Sequence, residues 1–498
     1  MLGFTKKINE TVAKSIVGRR FRLDGSGHTK SRENSRFLTE IRAGLATFFA
    51  MAYIISVNAT ILTDSGGTCV CTDANDPAYA DNIEYNLCLG IIHRDFITGT
   101  AAIAALTSFC MGLFANMPIA LAPVSYKLAL TAVFVEGFAF VGLSLLGLRQ
   151  WLARAIPASI KLASGVGIGL YLTIIGQTYS AGIGAITGAT ATPLELAGCR
   201  AEEIVDSVCP GSTKMRSPTM WIGIFCGDFV TAILLAYKVK GAIVASILLV
   251  SIISWPRPTP VTYFPYTPVG NDNIDFFKKV VTFHGIRNKL AVQDWNLTDV
   301  SGQFGLAFFT FLYVDILDCT GTLYSMARFA GAIDEETQDF EGSAVAYPPL
   351  GISIGSLFGL SPVTPFIESG AGISEGGKTG LTAITTGLCF FISIFFAPIF
   401  ASIPPWSTGC TLIIVGAMMA KAAKDINWLY FGDALPAFIT LAVMPFTYSI
   451  AYGLTAGIVS YMIITTTTWF VEMTWKVKGG LLPAWIVRAG KGKRDFLA

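Results

Sequence analysis

Charge is what this chain has least of. Asp, Glu, Lys and Arg make up 14% of its 498 residues, against about 25% in an ordinary soluble domain. With 53% hydrophobic residues and a mean hydropathy of +0.59, a soluble fold is excluded and a polytopic helical membrane protein is expected. The 35 basic and 33 acidic residues nearly cancel, so no field for nucleic acid is present. There are three histidines, His28, His93 and His284. They are read as lying in loops or tails, without the spacing of a metal site. No nucleotide-binding loop occurs, which argues against transport by ATP hydrolysis. No nucleophile–base pair or metal set supports an enzyme, and no cofactor is implied. The first 39 residues are polar and basic and lack the apolar core of a signal peptide.

Apolar runs able to cross ~30 Å of hydrocarbon then recur along the chain. They are placed near 40–62, 97–115, 127–147, 157–178, 219–237, 241–254, 303–325, 344–360, 362–375, 378–400, 408–420, 433–448 and 450–472. That makes about thirteen segments, some broken or half-length. Lys and Arg in short loops mark the inner side. By that rule the tail 1–39 is cytoplasmic, the acidic loop 63–94 is outside, and Arg149, Arg154 and Lys161 are inside. Lys238, Lys240, Lys421, Lys424, Lys476 and Lys478 mark further inner points. The tail 473–498 is then cytoplasmic as well, with Leu481–Arg494 as an interfacial amphipathic stretch. Asn296-Leu-Thr298 is a glycosylation sequon in an outer loop. One crossing is missing between Asn116 and Tyr126, because both flanking stretches count as inside with a single span between them.

Cys110, Cys226, Cys319, Cys389 and Cys410 lie in apolar runs and read as inert. Cys69, Cys71, Cys88, Cys199 and Cys209 lie in outer loops, where a disulfide of undetermined pairing is expected.

Two acids stand out. Asp318 lies in the apolar run 308–323, and Glu368 follows the Pro-broken stretch 361–365. A charge at the bilayer centre costs roughly 2.5–3.5 kcal/mol on insertion scales, so such acids mark functional sites by default. A buried carboxylate accepts from a ring N–H, and a protonated one donates to a ring nitrogen. The alternative is that each acid caps a broken-helix end or pairs with a basic residue. Asp315, three residues before Asp318, is assigned to supporting the core. Glu136 is assigned to a domain interface, and Glu375 with Lys378 to an ion pair at the cytoplasmic mouth. Gly370, Gly372, Gly376, Gly377 and Gly380, beside Pro362 and Pro365, predict an extended piece leading into a half-helix. The N-terminal amides of that half-helix are expected to face a ligand. Ser369 and Thr364 are candidate ligand-facing hydroxyls.

Several runs resemble the AzgA-like purine transporters, relatives of the nucleobase–ascorbate transporters. They are Glu40-Ile-Arg-Ala-Gly-Leu-Ala-Thr-Phe-Phe-Ala-Met-Ala-Tyr53 and its continuation to Asn58, Ala115-Asn-Met-Pro-Ile-Ala-Leu-Ala-Pro123, and Phe311-Leu-Tyr-Val-Asp-Ile-Leu-Asp-Cys-Thr-Gly-Thr-Leu323. The stretches 368–381 and 435–453 belong with them. The resemblance covers nearly all of the chain after residue 40 and is closest to the fungal branch. It implies an all-α membrane protein with seven-plus-seven inverted repeats, about 40–254 and 303–472, divided into core and gate domains. It implies proton-coupled uptake of hypoxanthine, adenine and guanine at the plasma membrane. The partners implied are a purine nucleobase, protons and the lipid bilayer, with a homodimer left open.

By this resemblance, Asp318, Glu368, Ser369 and Gly370 bind substrate, and Asp318 and Glu368 couple the proton. Asn58 falls near the place of Asp318 in the first repeat. Two departures stand against it. After Pro123 the motif opening the family's third segment is absent, and Val124-Ser-Tyr-Lys resembles the start of the fourth. An Asp-Ala pair entering the ninth segment is replaced by Pro348-Pro349. The rival reading is therefore a transport-inactive membrane protein that at most binds partners.

Overall fold

A computed structural model describes residues 2–64, 69, 83–118, 121–123, 127–146, 157–179, 182–187, 194–200, 203, 209–237, 239, 241–285, 347–357, 363–366 and 368–477, with single positions at 304, 305, 308, 311, 312, 315, 316, 326 and 330. Asp318, Cys71, Cys319, Asn296 and the stretch 481–494 lie outside the described residues.

The described chain is mostly helical. Two tail helices, α1 (Leu2–Ala13) and α2 (Ile16–Arg20), precede a first span broken at Ala52 into α3 (Phe37–Met51) and α4 (Tyr53–Asp64). Next come α5 (Ile83–Cys110) with a π turn Met111–Ala115, strand β1 (Leu121–Pro123), α6 (Lys127–Leu145) and α7 (Ala158–Gln177). Strands β2 (Ile186–Thr187) and β3 (Glu195–Leu196) pair as a small antiparallel ladder. Helix α8 (Pro218–Ile222), a π segment Gly223–Phe229 and α9 (Val230–Ala236) form one continuous span. They are followed by α10 (Ala242–Ser254) and α11 (Pro268–Phe277). In the second half lie α12 (Tyr347–Leu357), β4 (Val363–Pro365), α13 (Ser369–Ser374) and α14 (Gly380–Ser393). The chain continues through α15 (Ala397–Phe400), α16 (Pro405–Met419), α17 (Phe431–Phe446) and α18 (Ile450–Val477).

Among the described residues, seven helices are long and apolar enough to cross a membrane by length and composition. Three shorter apolar helices, Thr131–Ser144, Ala242–Ser254 and Phe431–Phe446, add to them. Two helix groups form. In one, α14 packs on α3 and α5, α4 on α5, α13 on α3, and α6 on α12. In the other, α7 packs on α16, α17 and α18, with the π segment Gly223–Phe229 against α10 and α16. The main core lies in the first group, where Phe96 and Phe390 are fully buried and Phe48 meets Phe390 edge to face at 5.2 Å.

Local chemistry explains where the elements depart from hydropathy. The run near 97–115 is longer than expected, because α5 already begins at Ile83. Its charged section is paired inside the fold. Arg94 reaches Asp272 at 2.6 Å and lies over the Phe276 ring at 4.3 Å, and Asp95 meets His284 at 2.8 Å. His93 is therefore not a loop residue: it sits on α5, with Nδ1 3.1 Å from the Thr63 hydroxyl. Pro348 and Pro349 fall in the first turn of α12, where a missing N–H costs nothing. Disulfides join Cys69 to Cys88 and Cys199 to Cys209.

Candidate functional site

Tyr53 opens α4 immediately after Ala52, whose backbone stays helical (φ −57°, ψ −25°). Its hydroxyl donates to Glu368 Oε1 at 2.7 Å, and both residues are buried. Glu368 lies in the turn between β4 and α13. β4 is antiparallel to β1, with Leu121 opposite Pro365, Ala122 opposite Thr364 and Pro123 opposite Val363. This ladder is the predicted extended piece. Its placement fits the rule that non-helical backbone at membrane depth survives only where protein buries it or a cavity lines it. Val363 and Pro365 are buried while Thr364 is partly open.

Ser369 is fully buried, and its amide donates to Phe366 O at 3.1 Å. That turn uses the first amide of α13, a helix of six residues. Gly370, next in the chain, is half-buried. α13 lies tight on α3: a Cβ at Gly372 would strike the Thr47 hydroxyl and the Ala43 carbonyl. Gly376, at φ +96°, turns the chain out of α13.

Beyond that turn, a second buried acid holds the start of α14. Glu40 is fully buried on α3. Its carboxylate accepts from Lys378 N (3.0 Å), Thr379 N (3.1 Å) and the Thr382 hydroxyl (2.6 Å). Asn116 Oδ1 accepts from Gly380 N at 2.7 Å. Asn116 thus meets the first amide of α14, which lacks a partner within the helix, and the N-cap Thr379 hydroxyl accepts from Leu381 N at 3.4 Å. Arg32 donates to the carbonyls of Lys378 and Asn116. Glu375 pairs with Arg42 at 3.4 Å, and Lys378 Nζ donates to the Glu33 carbonyl at 2.9 Å.

Glu136 does not stand at the boundary between the helix groups. It is fully buried on α6, its carboxyl against that of Asp315, in the packing of α6 on α12. No amide or hydroxyl among the described residues donates to either Glu136 oxygen. Asn58 is buried on α4 and donates to the Thr100 hydroxyl at 2.8 Å, tying α4 to α5.

Sequence reasoning missed two residues. Tyr53 lay inside a quoted run without being singled out, because hydropathy does not distinguish a buried phenol from a buried phenyl. Asp228, in the π segment of the span Pro218–Ala236, is an acid in an apolar run whose Oδ1 has no hydrogen-bond partner among the described residues. The insertion cost that flagged Asp318 and Glu368 applies to it equally.

A profile of the xanthine/uracil permeases, described as a permease family, matches residues 38–456. The chain is 60% identical over 532 residues to a protein of Aspergillus versicolor named efflux pump notK', covering 98% of this chain and 92% of that one. It is 55% identical over 533 residues to a putative xanthine/uracil permease of Schizosaccharomyces pombe, covering 99% and 85%. Both alignments are longer than the part of this chain they take in, leaving about forty positions of each relative without a counterpart here. The guanine/hypoxanthine permease PbuG of Bacillus subtilis is 32% identical, covering 86% of this chain and 90% of that one. Among solved structures, the transmembrane domain of the cyanobacterial bicarbonate transporter BicA aligns with a TM-score of 0.53 at 13% identity, covering 84% of this chain and 97% of that one. That likeness shows the seven-plus-seven inverted-repeat fold. The chain is a multi-pass membrane transporter rather than an enzyme, and it belongs to the xanthine/uracil permease family.

Proposed function

We propose that this chain carries purine nucleobases across the plasma membrane by proton symport, with Glu368 as the group that grips the purine edge. The observation that carries this reading is the Tyr53–Glu368 hydrogen bond beside the β1–β4 ladder. A carboxylate held by a phenol keeps further lone pairs for a ring N–H, and once protonated it can donate to a ring nitrogen. Asp318 is the second acid of this reading, with Ser369 and Gly370 shaping the pocket wall. The relative named for guanine and hypoxanthine supports the substrate class. The division into repeats 40–254 and 303–472, with cytoplasmic tails 1–39 and 473–498, belongs to the same reading. The two disulfides support its sidedness, since such bonds persist on the oxidising side.

A second reading rests on a specific observation. β1 ends at Pro123 and α6 begins at Lys127, so the third segment of the resemblance has no room between them. The gapped alignments with both fungal relatives point the same way. In this reading the chain retains the fold and the Glu368 half of the site but not turnover. Uptake of labelled hypoxanthine and adenine in cells lacking purine transport separates the two. Saturable uptake that collapses with the proton gradient supports symport. No uptake until the missing segment is restored supports the second reading. Since one relative is named an efflux pump, preloaded cells should be assayed for export in the same experiment.

A further inference from the structure

We propose that the corner between α1 and α2 is a docking surface for the anionic inner leaflet of the membrane. This inference rests on the cytoplasmic placement of the tail in that reading and is independent of substrate and transport. The tail folds back on the helix ends, where Phe21 and Leu23 are buried with Leu381 and pack against Phe37 and Leu113. The corner itself stays outside that cluster. Ile16 is 88% exposed and Val17 42%.

The direction of this knuckle follows from α2. Arg20 lies four residues after Ile16 and three after Val17, hence on the same helix face. Its Nη2 donates to Leu113 O at 2.6 Å. Leu113 lies in the last turn of the span Glu84–Ala115, whose Phe114, Phe109 and Leu106 are exposed large apolar side chains. The Ile16–Val17 face is thus turned toward the end of a span that shows its apolar side to lipid.

Charge selects the occupant. Lys6, Lys7, Lys14, Arg19 and Arg20 are exposed around the knuckle, and the sole acid in α1 and α2 is Glu10, 4.0 Å from Lys6. A basic rim around an exposed aliphatic pair is the pattern of an interfacial segment on an anionic surface. Each basic side chain near such a surface shifts partitioning by roughly fivefold. A second copy of this face would bring basic rim against basic rim, and a soluble acidic partner would leave Ile16 and Val17 unexplained.

The test is amide exchange of the full chain in nanodiscs of phosphatidylcholine alone or with about one-third phosphatidylserine. Exchange across residues 14–20 should slow at least fivefold in the anionic discs. The slowing should vanish in high salt, in Lys14→Gln/Arg19→Gln, and in Ile16→Ser/Val17→Ser. The amides of Leu23 and Arg32, bonded to Gly18 O and Arg22 O, must stay protected in every variant, which shows that the tail still folds. Equal exchange in the two lipids overturns the proposal. So does slowing that survives Ile16→Ser/Val17→Ser, or slowing that appears only with two copies per disc.

Discussion

Glu40 and Glu368 are both buried carboxylates in the same helix group, each facing the chain around α13, yet they are held in opposite ways. Glu40 is held by the backbone. Two amides and a hydroxyl at the start of α14 converge on it, as a cap would. Glu368 is held by a side chain brought from another span, the Tyr53 phenol. The first arrangement exists because the helix start requires acceptors, whatever the protein transports. In the second, a phenol from another span is placed on an acid beside a strand crossing. Burial alone therefore does not separate the two acids, and their partners do.

Four substitutions can break this comparison. Glu368→Ala carries the largest expected effect: uptake should fall at least a hundredfold while the amount of protein in the membrane stays normal. Asp318→Ala should behave alike, and wild-type kinetics in either protein would remove that residue from the site. Should the chain need its third segment restored before it transports, both are measured in the restored protein. Glu40→Ala should do the reverse. Leaving several buried donors without an acceptor costs about 1–3 kcal/mol each. The melting temperature in detergent and the yield of folded protein should both drop, with the substrate affinity of the surviving fraction unchanged. A Glu40→Ala protein that melts normally but loses substrate would invert the two roles. Tyr53→Phe comes next. It keeps the ring and removes one hydrogen bond to a charged group, worth about 1.5–3 kcal/mol. KM should rise about tenfold or more while the melting temperature holds, and a KM within twofold of wild type would leave Tyr53 a packing residue.

Much of the architecture was legible because lipid imposes a simple code. Apolar runs marked the spans, and the Pro and Gly punctuation of 361–380 marked the strand and short helix around Glu368. What stayed hidden depended on partners distant in sequence. Hydropathy began the second span only near residue 97, leaving Arg94 in the loop, because it cannot see Asp272 and Phe276, about 180 residues on. It gave the tail no structure, although Arg20, Arg32 and Phe21 bond to residues 113–116 and 378. The polar tail was legible as composition and illegible as a fold, since its buried cluster of Phe21 and Leu23 is completed by Leu381. In the site, Glu368 was visible as a misplaced charge. Tyr53 was not, because a phenol in an apolar run breaks no rule until its acceptor is known.

Glu136 supplies the smallest and most discriminating test, because it fits neither side of the comparison. No amide or hydroxyl among the described residues donates to it, and what it meets is another carboxyl, that of Asp315. Two like charges in contact inside an apolar core repel strongly, so the pair is compatible with the fold only while it shares a proton. An amide at position 136 would preserve shape, remove one charge and offer Asp315 a permanent donor. Glu136→Gln should therefore leave the melting temperature unchanged or raise it, by the equivalent of about 1 kcal/mol. If the shared proton is only structural, the pH profile of uptake will also stay in place. If that proton is one the transport cycle loads and releases, stability will hold while the dependence of uptake on the proton gradient is lost. A sharp fall in stability would show instead that Glu136, like Glu40, is held by donors its present surroundings do not reveal.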